Sequence, residues 1–346
     1  MLTQSQDSIM SSHELSGVLV LYKPRGMTSH DCVNKIRRLF GTKKVGHTGT
    51  LDPDAVGVLP ILIGRAAKAA DVLLDNDKVY RAGLKLGLKT DTEDITGEVL
   101  SRDATFDAYG RTIYALDDVK RVAADFVGEI MQVPPMYSAL KRDGKKLVDL
   151  ARQGIVVERE PRPVTIYSLE VSLPDGGISA SGNSGAPMSG HIDAPMSDRD
   201  GNISEPDYML TVACSKGTYI RTLCADIGRS LGCGGVMCSL TRLKASGFDI
   251  SDSVTLETLE SLGQSERERL LCPVESLFCD YPAVRLKPFF ERLAHCGNEL
   301  YQKKLVIDYP VGQRIRLCGE GGFFALGEVM SYPDGDAIKP IRLFVL

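Results

Sequence analysis

Gly46-His47-Thr48-Gly49-Thr50-Leu51-Asp52-Pro53 offers one carboxylate, Asp52, among small residues and with no metal-ligand pattern beside it. Its glycines admit backbone conformations closed to other residues and let a second backbone come close, while Pro53 pushes Asp52 toward an extended conformation. A loop of this kind presents a side chain. A lone presented carboxylate suits nucleophilic or general-base work; the plainer alternative is a turn, because Asp-Pro and Gly-Thr pairs are common punctuation. A second candidate is Arg221, in Gly217-Thr218-Tyr219-Ile220-Arg221. The spacing predicts a helix here, with Ile220, Leu223, Ile227 and Leu231 on one face, Gly232 as the stop, and Arg221 in the first turn off the apolar stripe. A guanidinium against a partly buried carboxylate favours its charged form and aims it. Otherwise Arg221 is a surface arginine paired with Asp226.

The elements that must carry these residues read as a mixture of strands and helices. Residues 17–22 form a strand, and Ser29 caps a helix holding Val33, Ile36 and Phe40. Residues 64–74 are Ala-rich and helical, and Tyr80, Ala82, Leu84 and Leu86 alternate along a strand. Tyr80 opens one face of it, where a tyrosine can bury its ring and wet its hydroxyl. Val119, Val122, Phe126 and Ile130 predict one long helix behind Leu116-Asp117-Asp118, ending near the Pro134-Pro135 break. Residues 165–173 and 208–214 are strands joined by 174–206, a Gly-, Ser-, Pro- and Asp-rich disordered insertion in which His191 is not catalytic. A composition change at 273–280 marks a boundary, and 284–286, 305–309, 313–317, 323–330 and 338–346 read as short strands.

A length of 346 residues implies two domains. The longest apolar run, 55–63, is interrupted by a glycine and a proline and is too short to cross a bilayer. Residues 1–16 contain no Lys or Arg and no apolar core, so a frayed tail on a cytoplasmic protein is expected instead of a signal or transit segment. Nine cysteines show no C-x-x-C pair and five histidines show no zinc spacing, so buried reduced thiols are expected; Cys233 and Cys238, the closest pair, enclose a turn into the core. Neither a phosphate loop nor a dinucleotide fingerprint appears. No metal and no cofactor are expected, and the chemistry falls to side chains. A net charge of −4 argues against a protein that simply coats nucleic acid. Basic residues nonetheless cluster: Lys23, Arg25, Lys35, Arg37, Arg38, Lys43 and Lys44 stand against Asp31 alone, and 141–162 adds seven basic residues against four acidic. The usual fate of such runs is a solvated face.

GHTGTLDP resembles the signature of the tRNA pseudouridine synthase B (TruB) family, whose aspartate in that motif is the nucleophile. Four further segments resemble the family in its order: Lys23-Pro24-Arg25-Gly26-Met27-Thr28-Ser29, Lys78-Val79-Tyr80-Arg81, 132–141 (QVPPMYSALK) and Gly217-Thr218-Tyr219-Ile220-Arg221. The likeness is strong over 17–172 and 207–262 and weaker elsewhere. It implies an α+β fold: a catalytic domain over 17–280 with a mixed, mainly antiparallel sheet flanked by helices and loops, then a small all-β PUA-like domain over 281–346.

The activity implied is isomerisation of the uridine at position 55 in the T arm of tRNA. The N-glycosidic bond breaks, the uracil turns, and C5 joins C1′, with no group exchanged with another molecule. Asp52 would attack the sugar or the base, or take a sugar proton. The base would leave its stack, rest on Tyr80 and pack against Leu240. By the same resemblance Arg221 holds Asp52, Tyr80 helps remove the C5 proton, His47 fills RNA space beside the flipped base, Lys23 supports the loop, Tyr219 belongs to the substrate pocket, and Asp94 orders it. Lys141, Arg142, Lys145 and Lys146 belong to a thumb that grips RNA, with Val148 where the family often has tyrosine. The expected partner is the tRNA T stem-loop, with no membrane, no obligatory protein partner, and a monomer. The alternatives are a guide-RNA-dependent synthase, which the absence of long basic tails disfavours, and a non-catalytic tRNA-binding or tRNA-folding protein.

Overall fold

A computed structural model describes residues 15–73, 77–103, 114–142, 144–174 and 205–344. Residues 1–14 of the expected tail, 175–204 of the expected insertion (with His191), Leu74 and the last two residues lie outside these. The first half runs β1 (Gly17–Lys23), α1 (Ser29–Leu39), β2 (Val45–His47), β3 (Val56–Ile63), α2 (Ala70–Leu73), β4 (Lys78–Leu86), β5 (Leu88–Thr90), β6 (Val99–Arg102), α3 (Leu116–Ala124), β7 (Gly128–Gln132), β8 (Lys141–Arg142), β9 (Lys145–Lys146) and α4 (Leu147–Ala151). There follow β10 (Arg162–Ser172), β11 (Tyr208–Cys214), α5 (Ile220–Leu231), β12 (Gly235–Ala245), β13 (Phe248–Asp249), α6 (Leu256–Ser261), α7 (Gln264–Arg269), β14 (Ala283–Arg285), α8 (Pro288–His295), β15 (Leu300–Tyr301), α9 (Gln302–Leu305), β16 (Arg314–Gly319), β17 (Gly322–Tyr332) and β18 (Gly335–Leu343).

The large sheet orders its strands β1-β3-β12-β4-β11-β10-β7, with β2 and β13 paired at the side. Its neighbours are antiparallel except β3 and β12, which meet in parallel at Thr241↔Val56 and Arg242↔Gly57. β1 and β3 are apolar on both faces because both are covered. Val18, Val20, Val58 and Leu62 point into one core; Leu19, Leu21, Leu59 and Ile61 point into another, beneath Cys32, Val33 and Ile36 of α1. Across the other half of the sheet, Val119 and Ala123 of α3 and Leu223, Cys224 and Ile227 of α5 cover Leu84, Leu210 and Val212.

Several expected elements shift for identifiable reasons. Thr28, not Ser29, is the N-cap of α1, in a capping box with Asp31. The 64–74 helix is a 3₁₀ stretch, Gly64–Ala69, followed by one α-turn. The long helix through Ile130 ends at Ala124, and Ile130 lies in β7 opposite Val164. Gly128, at φ +108°, turns the chain between the two. In the 305–309 stretch, Leu305 closes α9 and no strand follows; the buried Gln302 amide bonds both the N–H and the C=O of Tyr309, at 2.8 and 2.9 Å, in place of a neighbouring strand.

The second sheet orders its strands β14-β16-β17-β18-β15 and is joined by α8 and α9, which strand patterning does not announce. Leu326 of β17 and Phe344 belong to the same core as Val18, Val20 and Leu62, and Phe344 lies 5.4 Å from the Phe278 ring. No helix among the described residues is long and apolar enough to cross a membrane.

Candidate active site

The Asp52 loop leaves the sheet at β2 and returns at β3, and backbone and side-chain bonds hold it at both ends. Ser29 Oγ donates to the Leu51 carbonyl at 3.3 Å and accepts from its N–H at 2.9 Å. Lys23, fully buried, donates from Nζ to the carbonyls of Pro53 (2.8 Å) and Pro24 (2.9 Å). Burial lowers the Lys23 ammonium to about 8, against the pull of Cys32, Asp54 and Asp52. His47 Nδ1 accepts from the Gly49 N–H at 3.2 Å, so it shapes the loop and is not among the residues lining the cavity described below. Burial, then the Arg242 and His30 charges, hold its imidazole below the usual range. The Asp52 side chain stays 46% exposed.

Arg221 meets that carboxylate from the first turn of α5. Its Nε lies 3.1 Å from Asp52 Oδ2, Nη1 donates to the Thr92 carbonyl at 3.2 Å and sits 3.7 Å from Asp94 Oδ2, and Nη2 donates to the Tyr137 carbonyl at 2.8 Å. The side chain is therefore buried, although its spacing puts it off the apolar face; Asp226 pairs with Arg229 instead. Asp94 Oδ1 accepts from Thr96 Oγ1, Thr92 Oγ1 and the Thr96 N–H at 2.6, 2.9 and 3.0 Å, which fixes its other oxygen toward Arg221. Beside it, Glu93 is held at φ +64° and accepts from Thr222 Oγ1 at 2.5 Å.

A cavity of about 420 Å³ opens beside Asp52, lined by Thr48 to Asp52, Tyr80, Tyr137, Ser138, Tyr219, Arg221, Leu240 and Arg242. Its volume is in the range of a small-ligand pocket. Tyr80 on β4 and Leu240 on β12 form its sheet side, Leu240 opposite Ala82 and Arg242 opposite Tyr80. Burial pushes the Tyr80 phenol up while the Arg242 guanidinium pulls it down. Tyr219 precedes α5, and its N–H and C=O bond the buried Gln132 amide at 2.8 and 3.0 Å. A second cavity of about 420 Å³ shares Asp52, Tyr137, Val148, Arg221 and Leu240 with the first and is lined by Asp94 as well.

The basic residues divide. Lys146 and Val148 line the Asp52 cavity, and Lys146 also joins Lys141 and Lys145 in a neighbouring hollow with Asp149 and Arg152. Arg142 donates to the Glu158 carbonyl. Leu147 and Leu150 anchor this hairpin and helix through Met136. Of the earlier run, Lys23 turns inward, Lys35 pairs with Glu260 at 2.7 Å, and Arg37 donates to the Val45 carbonyl. Among the described residues no group of three or more His, Cys, Asp or Glu is placed to hold a metal ion.

Sequence reasoning did not single out Arg242, Gln132, Ser29 as a clamp, or the Glu93–Thr222 contact. Arg242 had one available signal: two residues past Leu240 on an alternating strand, it belongs on the same face.

Known proteins match this architecture. The model of the TruB family pseudouridylate synthase N-terminal domain matches residues 37–176, and that of the tRNA pseudouridylate synthase B C-terminal domain matches 221–278. The chain is 41% identical over 338 residues to the tRNA pseudouridine synthase B of Alkaliphilus oremlandii, covering 95% of this chain and 98% of the relative. It is 40% identical over 324 residues to that of Pelotomaculum thermopropionicum, covering 92% and 93%. Among solved structures, a Cbf5–Nop10–Gar1 complex superposes with a TM-score of 0.66 at 24% identity, covering 96% of this chain and 86% of that one, a likeness of fold. The architecture is that of a pseudouridine synthase: α+β, with a mixed, mainly antiparallel catalytic sheet and a small PUA-like β module. The chain belongs to the TruB family of pseudouridylate synthases.

Proposed function

We propose that this protein converts the uridine at position 55 of the tRNA T arm into pseudouridine, with Asp52 as nucleophile. The names of the relatives support tRNA as substrate. The observation that carries the residue roles is the 3.1 Å contact of the half-exposed Asp52 carboxylate with a buried guanidinium, at the mouth of a cavity floored by Tyr80 and Leu240. Three contacts besides Asp52 position that guanidinium, so the carboxylate meets an everted nucleoside without having to search for its orientation. Eversion costs about a few kcal/mol, and stacking on Tyr80 with packing against Leu240 offsets it. Asp94 orients Arg221 through the Oδ2 that lies 3.7 Å from Nη1. His47 acts through the loop, and Lys23 fixes the Pro53 end. The catalytic part extends over 17–280 and the PUA-like module over 281–346. Lys141, Arg142, Lys145 and Lys146 meet RNA phosphates, with Lys146 nearest the cavity. The enzyme works as a cytoplasmic monomer.

Incubation of the purified chain with an unmodified tRNA transcript, followed by mapping of converted positions, tests the reading. Conversion at position 55 without any added RNA or protein is expected. Asp52→Asn should keep tRNA affinity within about threefold and abolish turnover, since it removes the charge and keeps the shape. Retained turnover would refute the nucleophile assignment, and a requirement for a guide RNA would refute the substrate.

A further inference from the structure

Arg242 is 1% exposed and among the largest fully buried side chains of the fold. It sits across the β12–β4 pair from Tyr80 and lines the Asp52 cavity. Its Nε donates to the Val58 carbonyl at 2.7 Å and its Nη2 to the Gly49 carbonyl at 3.1 Å; in the strand register it stands opposite Tyr80, whose phenol burial pushes up and the Arg242 charge draws down. The backbone leaves room for this arrangement at a specific place. Gly57 holds φ +103°, and a Cβ there would meet the Arg242 carbonyl oxygen at 2.3 Å, so β3 and β12 approach closely enough for Val58 to accept from the side chain only with glycine at 57.

Burying a cation is costly unless it is compensated, and a merely packing residue at this position would be apolar. The two hydrogen bonds of Arg242 tie β3 to the start of the Asp52 loop, and its register neighbour is the tyrosine on the sheet side of the cavity. We propose that Arg242 is a positioning residue, a planar brace that holds the Asp52 loop and the Tyr80 hydroxyl in one fixed relation. This inference rests on the proposed isomerisation and deepens it. Lysine cannot replace the brace, because a single ammonium lacks the fork needed to hold two carbonyls on different elements at once.

The test uses the full chain with Arg242→Gln and Arg242→Lys. Two readouts are followed: single-turnover conversion of unmodified tRNA alongside tRNA affinity, and the ¹⁹F signal of 3-fluorotyrosine placed at position 80, which reports ionisation of that phenol whether or not the enzyme turns over. The titratable groups facing it are Arg242, Cys214 and Asp52. For Arg242→Gln, the rate should fall by about 30-fold or more, the loss seen when reacting groups are misplaced, with affinity within about threefold, and the fluorinated phenol should titrate at higher pH. Arg242→Lys should bring the phenol back toward the wild-type pH without restoring the rate. An unchanged rate, lost affinity at a normal rate, or an unmoved fluorine titration in Arg242→Gln would overturn the brace; if Arg242→Gln does not fold, a wild-type rate in Arg242→Lys overturns it. A wild type that makes no pseudouridine, while the fluorine titration still moves, sinks the proposed reaction and leaves the brace standing.

Discussion

Arg221→Lys keeps one positive charge beside Asp52 and removes the fork that aims it. The wild-type guanidinium spans Asp52, Asp94 and the carbonyls of Thr92 and Tyr137. An ammonium reaching Asp52 must release at least the Thr92 and Tyr137 carbonyls, each such bond being worth about 1 kcal/mol. The ion pair with Asp52 adds little stability by itself, because that carboxylate is half in water. The larger consequence is orientational: a loss of about 2–3 kcal/mol in the transition state corresponds to about 30- to 150-fold in rate. Single-turnover assays on saturating tRNA should show that drop with affinity within about threefold, a pattern expected when an interaction is made in the transition state more than in the ground state. Weakened tRNA binding at an undiminished rate would instead mark Arg221 as a phosphate contact and refute the reasoning.

Lys23→Met tests the buried ammonium by linkage. Unfolded Lys23 keeps its proton to about 10.5 and the folded one releases it near 8, so the unfolded chain binds the extra proton between these values. In this window wild-type stability gains with pH through Lys23, while below about 8 the full cost of burying the charge applies. Denaturant midpoints of wild type minus variant should be flat below about 8 and rise above it; a flat difference throughout means the ammonium is not desolvated. Replacing Lys145 and Lys146 by alanine should weaken tRNA binding several-fold and make the salt dependence shallower, by about one in the log–log slope for each phosphate that is no longer neutralised; an unchanged slope would place RNA elsewhere. Leu240→Ala should lower single-turnover conversion more than it lowers tRNA affinity, since it removes packing against the everted base; equal losses would make Leu240 a core residue only.

Apolar periodicity made β4, β11 and α5 legible, since strands and helices buried on one face write their spacing into the chain. It failed where two spacings coincide: Val119, Val122, Phe126 and Ile130 fit one helix, but a turn over 125–127 and the positive φ of Gly128 divide it from β7. The burial of Arg221 was not legible because Thr92 and Tyr137, which receive its N–H groups, stand 129 and 84 residues away. The same holds for Gln132 and Gln302, whose amides bond backbone beyond their own strand or helix and leave no periodic trace. The Asp52 loop was visible as chemistry, but the Ser29, Lys23 and Arg242 side chains that fix its ends come from elements that the loop's own sequence does not mention.

Leu326 and Phe344 share a core with Val18, Val20 and Leu62, so the two sheets are welded through hydrophobic packing. A chain cut after residue 280 would lay that seam bare to water and should precipitate before it could be assayed. Any pivot between the sheets would have to open this apolar seam. On the proposed function, an RNA bound across both sheets would meet a spacing set by that seam, and stem-loops of the wrong reach would be rejected.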